Sequence, residues 1–512
     1  MAFQSNVPII GAGFQNRSEE LQRLDQVARR LANGEPSWLA ILGPRKVGKT
    51  SLVLEFARRH ASKLHVVSFD VSQWSPVSWE VFRNLALRAI DELAGASTGV
   101  SFEALADDRD AWRETVSGTE LFARLPPRAR STLVALPELA GPELARRSLE
   151  LPELVAEVMD RPLVVAVDEF QELAQLGAGR KGVDPFPIVR AVWQHHRRVA
   201  YVVSGSEQSM MLEMVSSKAS PFFQHFSVLE LGVFDEEHAV RLLTEGSPAD
   251  RPIPRSLAER AVQTLGTHPF YLQMLGEALV ASPPPYDDHD LKAAIQELVF
   301  ARAGRLSLFF GRQWDGLVGR STTLAATLEA LSLGNTRVKD VASAVGTTAG
   351  ATLRYLERLG DSVRRNDDGG WRITDPLFSQ WVAWRRPGGS VVPMQMLGEE
   401  GEREAAEHLA SLGFDLVYQS RGSRGAFDLL ATRGHHLLAI QVKRRALPLR
   451  FSKTDWNRME ADAKRFGWRW AIAAVTDGDV LVLDPRRAKK GREVRLDAAA
   501  RIDNLLAWLD RP

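Results

Sequence analysis

The chain has 512 residues, too many for one ordinary core, so three or four domains are expected. Its apolar fraction of 45% and charged fraction of 25% are those of a folded, water-soluble protein, and a net charge of +1 argues neither for nor against nucleic acid as a partner. The absence of cysteine excludes disulfides and thiolate metal sites and fits a reducing cytoplasm. The opening MAFQSNVPIIGAGFQNR lacks a basic start followed by a long apolar core, so no signal peptide is expected. No uncharged apolar run approaches membrane-spanning length, so a cytoplasmic chain with no membrane contact is expected.

In chain order, the first strong signal is an apolar run, Trp38 to Leu42, followed by Gly43-Pro44-Arg45-Lys46-Val47-Gly48-Lys49-Thr50-Ser51 and then a helix-like run from Leu52. Strand, glycine loop and helix in that order, with the pattern G-x-x-x-x-G-K-[ST], make a phosphate-binding loop. Gly43 and Gly48 let the backbone curl so that successive N–H groups face phosphate oxygens, and the helix N-terminus adds partial positive charge. Lys49 is expected on the β- and γ-phosphates and Thr50 on Mg²⁺. A second strand is predicted over Leu64–Asp70. Residues 71–160 read as helical, with breaks at Pro126-Pro127 and Pro142, and carry no recognisable chemistry. They offer either packing or a surface for a homo-oligomer or other partner.

A further buried strand, Pro162–Val167, ends in Asp168-Glu169, where α/β sheets place ligands. Asp168 is expected to hold Mg²⁺ directly or through water, and Glu169 to polarise the attacking water. The next strand, Val199–Val203, ends in Ser204-Gly205-Ser206. Its hydroxyls either meet the γ-phosphate or the lytic water, or simply end the strand. Strands alternating with helices predict a doubly wound parallel sheet.

GPRKVGKTSL, LVVAVDEFQEL and VVSGSEQSMM together resemble the prokaryotic STAND-type ATPases of the AAA+ superfamily, the group called archaeal ATPases among them. The resemblance spans about 10–385. Phe14–Leu21 is similar to the family's F-x-G-R-x-x-E-L box with Asn16 at the Gly, which puts Arg17 near the adenine. Leu265–Leu272 is similar to its G-G-x-P-F/Y lid segment, with Thr267 at the second Gly, and brings in His268. Ser220–Phe226 matches a segment that usually carries Gly-Arg, where this chain has Gln224-His225. That departure implies slow hydrolysis, or an ATP-bound switch.

Breakers at Ala281–Asp288 mark a boundary, and beyond them helices at Thr323–Ser332, Val338–Val345 and Thr348–Leu359 precede a turn at Asn366–Gly370 between short strands. That is a winged-helix layout. Arg354, Arg358, Arg364 and Arg365 can meet phosphates, or the unit can pack on the ATPase as a relay. Trp371–Leu377 with Trp381 and Trp384 resembles the family's Y-x-I-x-D-P-x-x-x-x-W ending.

After a linker, Pro387–Pro393, a helix Glu399–Leu412 leads to strands at Phe414–Tyr418, Phe427–Ala431 and Leu437–Lys443, with a Gly/Ser/Arg loop at Ser420–Gly425. Alternation puts Gln441 and Lys443 on one strand face, and hairpin pairing can bring Asp428 beside them. An acid, an amide and a lysine converging can hold Mg²⁺ and aim a water at a phosphodiester. This order resembles the PD-(D/E)XK nucleases, most of all archaeal Holliday-junction resolvases and Mrr-type restriction endonucleases. The match makes Glu402 the helix acid, Asp428 the central acid, Gln441 the residue at the second acidic place and Lys443 the lysine. From Lys443 to Arg495 there are 15 Lys and Arg against 7 Asp and Glu, as phosphate-backbone binding needs or as a solvated basic face would also show. Trp456, Trp468 and Trp470 can stack on bases or fill the core.

The fold class expected is therefore an α/β multidomain chain. It comprises a parallel-sheet P-loop ATPase (1–235), a helical lid (236–310), a winged helix (311–386), a linker (387–394) and a restriction-endonuclease-like domain (395–512). The nucleotide set is Arg17, the loop Gly43, Pro44, Arg45, Lys46, Val47, Gly48, Lys49, Thr50 and Ser51, with Ser206 and His268. The catalytic set is Lys49, Glu169, Glu402, Asp428, Gln441 and Lys443, and Mg²⁺ falls to Thr50, Asp168, Asp428 and Gln441. ATP and Mg²⁺ are the expected cofactors and DNA the expected partner. The function expected is ATP-coupled, Mg²⁺-dependent DNA cleavage or binding, in defence or repair. The alternative is a regulatory ATP switch whose last domain binds DNA or a partner without cutting.

Overall fold

A computed structural model of the protein describes residues 3–106, 108–178, 182–301, 303–366, 368–384, 389–390, 404–406, 408–409, 412, 414, 416–420, 427–433, 436–476, 479–488 and 493–509. Glu402, most of the linker 387–394, most of the expected helix 399–412 and the loop 421–425 lie outside the described residues. The chain divides into two compact units, one of 3–238 with 268–270 and one of 239–267 with 271–512.

The first unit is built on five parallel strands: β1 (Trp38–Leu42), β2 (His65–Asp70), β3 (Leu163–Asp168), β4 (Val199–Gly205) and β5 (Phe226–Glu230), in the order β2-β3-β4-β1-β5. Both faces are apolar, which is why these strands read as continuous hydrophobic runs. On β1, Leu39 and Ile41 join the core formed with α1 (Ser18–Ala32) and α2 (Lys49–His60), through Leu24, Val53 and Phe56. Trp38, Ala40 and Leu42 face the opposite core. That second core is filled by α3 (Glu80–Thr98), the short α4 (Phe102–Leu105), α5 (Arg109–Ser117), α6 (Glu120–Arg124) and α7 (Pro127–Ala135), and the long α8 (Gly141–Met159). Pro127 and Pro142 sit in the first turns of α7 and α8, where a missing N–H costs nothing, so they start helices rather than only interrupting them. Trp112 is buried there, its indole N–H donating to Leu133 O at 2.9 Å. The buried side chains of this helical stretch thus pack against the sheet.

The second unit contains helices α11 (Glu236–Gly246, entering from the first unit), α12 (Arg255–Leu265), α13 (Pro269–Ala281), α14 (Asp288–Ile295) and α15 (Arg305–Val318), after α9 (Phe186–Trp193) and α10 (Gln208–Ser216) of the first. Three helices follow, α16 (Thr322–Ser332), α17 (Val338–Val345) and α18 (Ala349–Arg358), then an antiparallel pair, β6 (Val363–Arg365) with β7 (Trp371–Ile373), and α19 (Pro376–Trp384). The Tyr271 phenol donates to the Asp375 carboxylate, which also caps α19 through the amides of Leu377 and Phe378.

A mixed sheet closes the chain: β8 (Gly389–Ser390), β9 (Leu416–Ser420), β10 (Leu429–Arg433), β11 (His436–Lys443), β13 (Arg469–Thr476) and β14 (Asp479–Leu483), in the order β14-β13-β11-β10-β9-β8. A separate antiparallel pair joins β12 (Leu449–Ser452) to β15 (Glu493–Leu496). The strands at 416–420 and 429–433 begin two residues later than the expected 414 and 427. Phe414 and Phe427 are buried just before them, Phe427 against Trp468 and Trp470. Trp456 meets Trp470 edge-on at 5.0 Å, so these indoles pack on one another.

Candidate functional site

The sheet order decides the site. β4 lies between β1 and β3, so its last residues stand between the glycine loop and the acidic pair. The C-terminal ends of parallel strands open into the crevice where α/β sheets hold ligands. Three chain segments far apart in sequence meet there.

The loop is shaped by two different demands on glycine. A Cβ on Gly43 would lie 2.4 Å from Leu231 O, and Leu231 is fixed by its own N–H to Leu42 O at 2.7 Å. Gly43 is thus required by close approach to the chain after β5. Gly48 is required by conformation, with φ of 108°. Lys46 takes the left-handed region as well, φ 65°, and its ammonium lies 5.4 Å from the Phe270 ring centroid. Lys49 opens α2 and is 6% exposed. Its Nζ donates to Gly43 O at 2.8 Å and Pro44 O at 3.1 Å, across the mouth of the loop. Burial pushes the Lys49 ammonium below its usual pKa, against the pull of Asp168 and Glu169.

Thr50 Oγ1 donates to Asp168 Oδ2 at 2.7 Å, and Ser204 Oγ donates to Asp168 Oδ1 at 2.7 Å. A hydroxyl and a carboxylate in contact are hard oxygen donors of the kind Mg²⁺ takes, so the residues fit that ion. Glu169 has left-handed backbone, φ 50°. Its Oε2 accepts from Ser206 N at 3.1 Å, Ser206 Oγ at 2.9 Å and Gln171 Nε2 at 2.6 Å. The structure therefore puts the Ser206 hydroxyl on Glu169.

Arg17 is 5% exposed and follows Asn16 in the left-handed region. Its guanidinium donates to Gly232 O at 2.6 Å and Glu20 Oε1 at 3.0 Å, and sits 4.8 Å from the Phe234 ring centroid. It braces α1 to the segment after β5. His268 is buried at the start of α13, beside Pro269 and Phe270. Gln224 is left-handed, and the His225 ring lies 5.2 Å from Trp38. Ser51 Oγ accepts from Ile9 N at 3.0 Å. Glu55, one α2 turn further on, accepts from Gly11 N at 2.7 Å. Two residues here escaped the sequence reading. Gln171 had a signal, a polar amide two places after the acidic pair and directly after the apolar Phe170. Glu55 had one too, an acid on α2 with Arg58 and Arg59 placed three and four residues on.

In the closing sheet, Leu429 faces Ile440, and the Asp428 amide donates to Ile440 O at 3.0 Å, bringing Asp428 to Gln441. The Gln441 amide donates to Asp428 Oδ2, which also accepts from Val442 N at 2.7 Å. The Lys443 ammonium lies 5.6 Å from the Phe451 ring centroid.

A parallel sheet with a phosphate loop after β1 and an acidic pair after β3 defines a P-loop ATPase of the AAA+ type. Residues 14–275 match the family described as the ATPase domain predominantly from Archaea, and the chain belongs to that family. A Walker-type ATPase of Pyrococcus abyssi has a similar fold, with 18% identity, a TM-score of 0.52, and coverage of 75% of this chain and 99% of that one. The ORC2 protein of Aeropyrum pernix aligns at 13% identity and a TM-score of 0.48, over 74% of this chain and 96% of that one. A Holliday junction resolvase of Archaeoglobus fulgidus aligns at 24% identity and a TM-score of 0.18, over 19% of this chain and 85% of that one. No curated protein matches the sequence. Among the described residues no helix is long and apolar enough to cross a membrane.

Proposed function

We propose that the protein is an ATPase of the STAND class that couples its nucleotide state to Mg²⁺-dependent cleavage of DNA by its last domain. In this reading the amides of the 43–50 loop hold the phosphates, and Lys49 leaves the Gly43 and Pro44 carbonyls for a phosphate oxygen. Thr50 and Asp168 hold Mg²⁺, which supplies neutralising charge for the phosphates. Glu169 takes the proton of the attacking water. Arg17 and His268 frame the nucleotide, Arg17 by tying α1 to the segment after β5 and donating to Val47 O of the loop at 3.5 Å. Gln224-His225, with His225 against Trp38, stand where relatives usually carry Gly-Arg, which supports slow hydrolysis.

The domain reading stays 1–235, 236–310, 311–386, 387–394 and 395–512, with α16–α18 and the β6–β7 pair as a winged helix. The nuclease reading rests on one observation: antiparallel pairing sets Asp428 against Gln441, with Lys443 two residues on along the same strand. The basic surplus from 443 to 495 suits a DNA backbone. Glu402 completes the set by resemblance alone. The test is cleavage of supercoiled, linear and branched DNA with ATP and Mg²⁺. Asp428→Ala and Lys443→Ala are expected to abolish cutting, and cutting that survives both rules out the assigned site. A second reading, a switch that grips DNA without cutting, is favoured by two donors already on Asp428 Oδ2 and by Lys443 over Phe451. Under it the protein binds DNA, and neither Mg²⁺ nor Mn²⁺ binds at Asp428.

A further inference from the structure

Gln171 lies in the 3₁₀ turn after β3 and is 3% exposed. Its Nε2 donates to Glu169 Oε2 at 2.6 Å, while its own Oε1 is buried without a hydrogen-bond partner. The reverse orientation of the amide would set a carbonyl oxygen against a carboxylate oxygen, so the amide faces the only way that bonds Glu169. A buried orphan acceptor is costly to keep. The fold nevertheless makes room for it: a Cβ on Gly205 would lie 2.2 Å from Gln171 Oε1 and 2.6 Å from Met211 Cγ. The last residue of β4 is thus glycine where the Gln171 amide passes. Packing alone would be served better by an apolar side chain in this slot.

All three hydrogen bonds to the Glu169 carboxylate fall on Oε2, two from Ser206 and one from Gln171. Among the described residues none falls on Oε1. With one oxygen held by donors on two different strand ends, the carboxylate cannot rotate freely. In this tied position Glu169 is within electrostatic reach of Lys49, the phosphate-binding lysine.

We infer that Gln171 and Ser206 are positioning residues for ATP hydrolysis, fixing the Glu169 carboxylate by Oε2 so that Oε1 is left to take the proton of the water. The inference rests on the reading of Glu169 given above. A base displaced by a fraction of an ångström slows chemistry without weakening substrate binding.

The experiment uses the full chain, single-turnover hydrolysis of labelled ATP, and affinity for a fluorescent ATP analogue. Gln171→Leu, which keeps the volume and removes the donor, is expected to lower the rate about 10-fold with affinity within about twofold. Ser206→Ala, at a less buried position, is expected to fall by a similar factor and serves if Gln171→Leu does not fold. Glu169→Gln alone is expected to lower the rate about 100-fold. In that background each positioning substitution should change the residual rate by less than about twofold, because its target is gone. An equal loss in both backgrounds overturns the positioning role while leaving Glu169 in place. So does a loss carried by affinity. A Glu169→Gln protein at the wild-type rate overturns the reading of Glu169, and the positioning role with it, and is told apart by that single variant.

Discussion

Arg17 separates two roles that its neighbourhood would otherwise blur. The resemblance puts it near the adenine, whereas its guanidinium is spent inside the protein on Gly232 O, Glu20 and the face of Phe234. Hydrogen bonds from charged donors contribute about 1.5–3 kcal/mol each, and a buried cation–π contact about 1–2 kcal/mol. These contributions do not add in full, and burial of the guanidinium, which pushes its pKa below the usual value, works against them. Arg17→Ala is therefore expected to cost about 3 kcal/mol locally, from the lost bonds to Gly232 O and Glu20 and the lost contact with Phe234. At about 1.4 kcal/mol per tenfold, amides of α1 and of the segment after β5 that open with this region should exchange about 100-fold faster. Hydrogen exchange with mass spectrometry on the full chain reads this directly, and ATP affinity is measured alongside. Unchanged protection together with a tenfold or greater loss of ATP affinity would refute the brace and make Arg17 a nucleotide ligand.

Glu55 has its carboxyl pKa held down to about 2, first by Arg58 and then by Arg59 and the Gly11 amide. A lowered carboxyl pKa contributes stability that is present above the unfolded value near 4.5 and lost as pH falls through 2. With both arginines half exposed, Glu55→Gln should cost about 2 kcal/mol at pH 7, and the gap in melting temperature should close below pH 4.5; a gap independent of pH contradicts the assignment. Gly43→Ala drives a Cβ into Leu231 O and is expected to lower stability by about 1–3 kcal/mol and ATP affinity by more than about tenfold. Calorimetry and ATP titration check it, and an alanine protein unchanged in both would mean that the loop yields easily. Thr50→Val removes the hydroxyl that meets Asp168 and is expected to lower Mg²⁺-stimulated hydrolysis about 100-fold. Steady-state rates over a Mg²⁺ titration test this, and a full rate at any Mg²⁺ concentration would remove Thr50 from the site.

The loop from Gly43 to Ser51, the acidic pair at Asp168-Glu169 and the strands that carry them were legible in the residues alone. Their signals are local: a continuous apolar run, a glycine where the chain must curl, a lysine at a helix start. The Asp428–Gln441 meeting was legible for a similar reason, because a short hairpin turns alternation along a strand into register across it. What the tertiary structure decided depends on the order of strands, which no local period encodes. Only because β4 is inserted between β1 and β3 do Ser204 reach Asp168 and Ser206 reach Glu169. Only the approach of Leu231 explains why residue 43 has no Cβ, and only the path of the chain after β5 gives Arg17 a partner 215 residues away. The sequence by itself determined that this protein carries a phosphate loop and a pair of acids to work with it. The fold alone determined which side chains bond to those acids, because hydrogen-bond partners brought together by a parallel sheet are set by crossovers rather than by spacing.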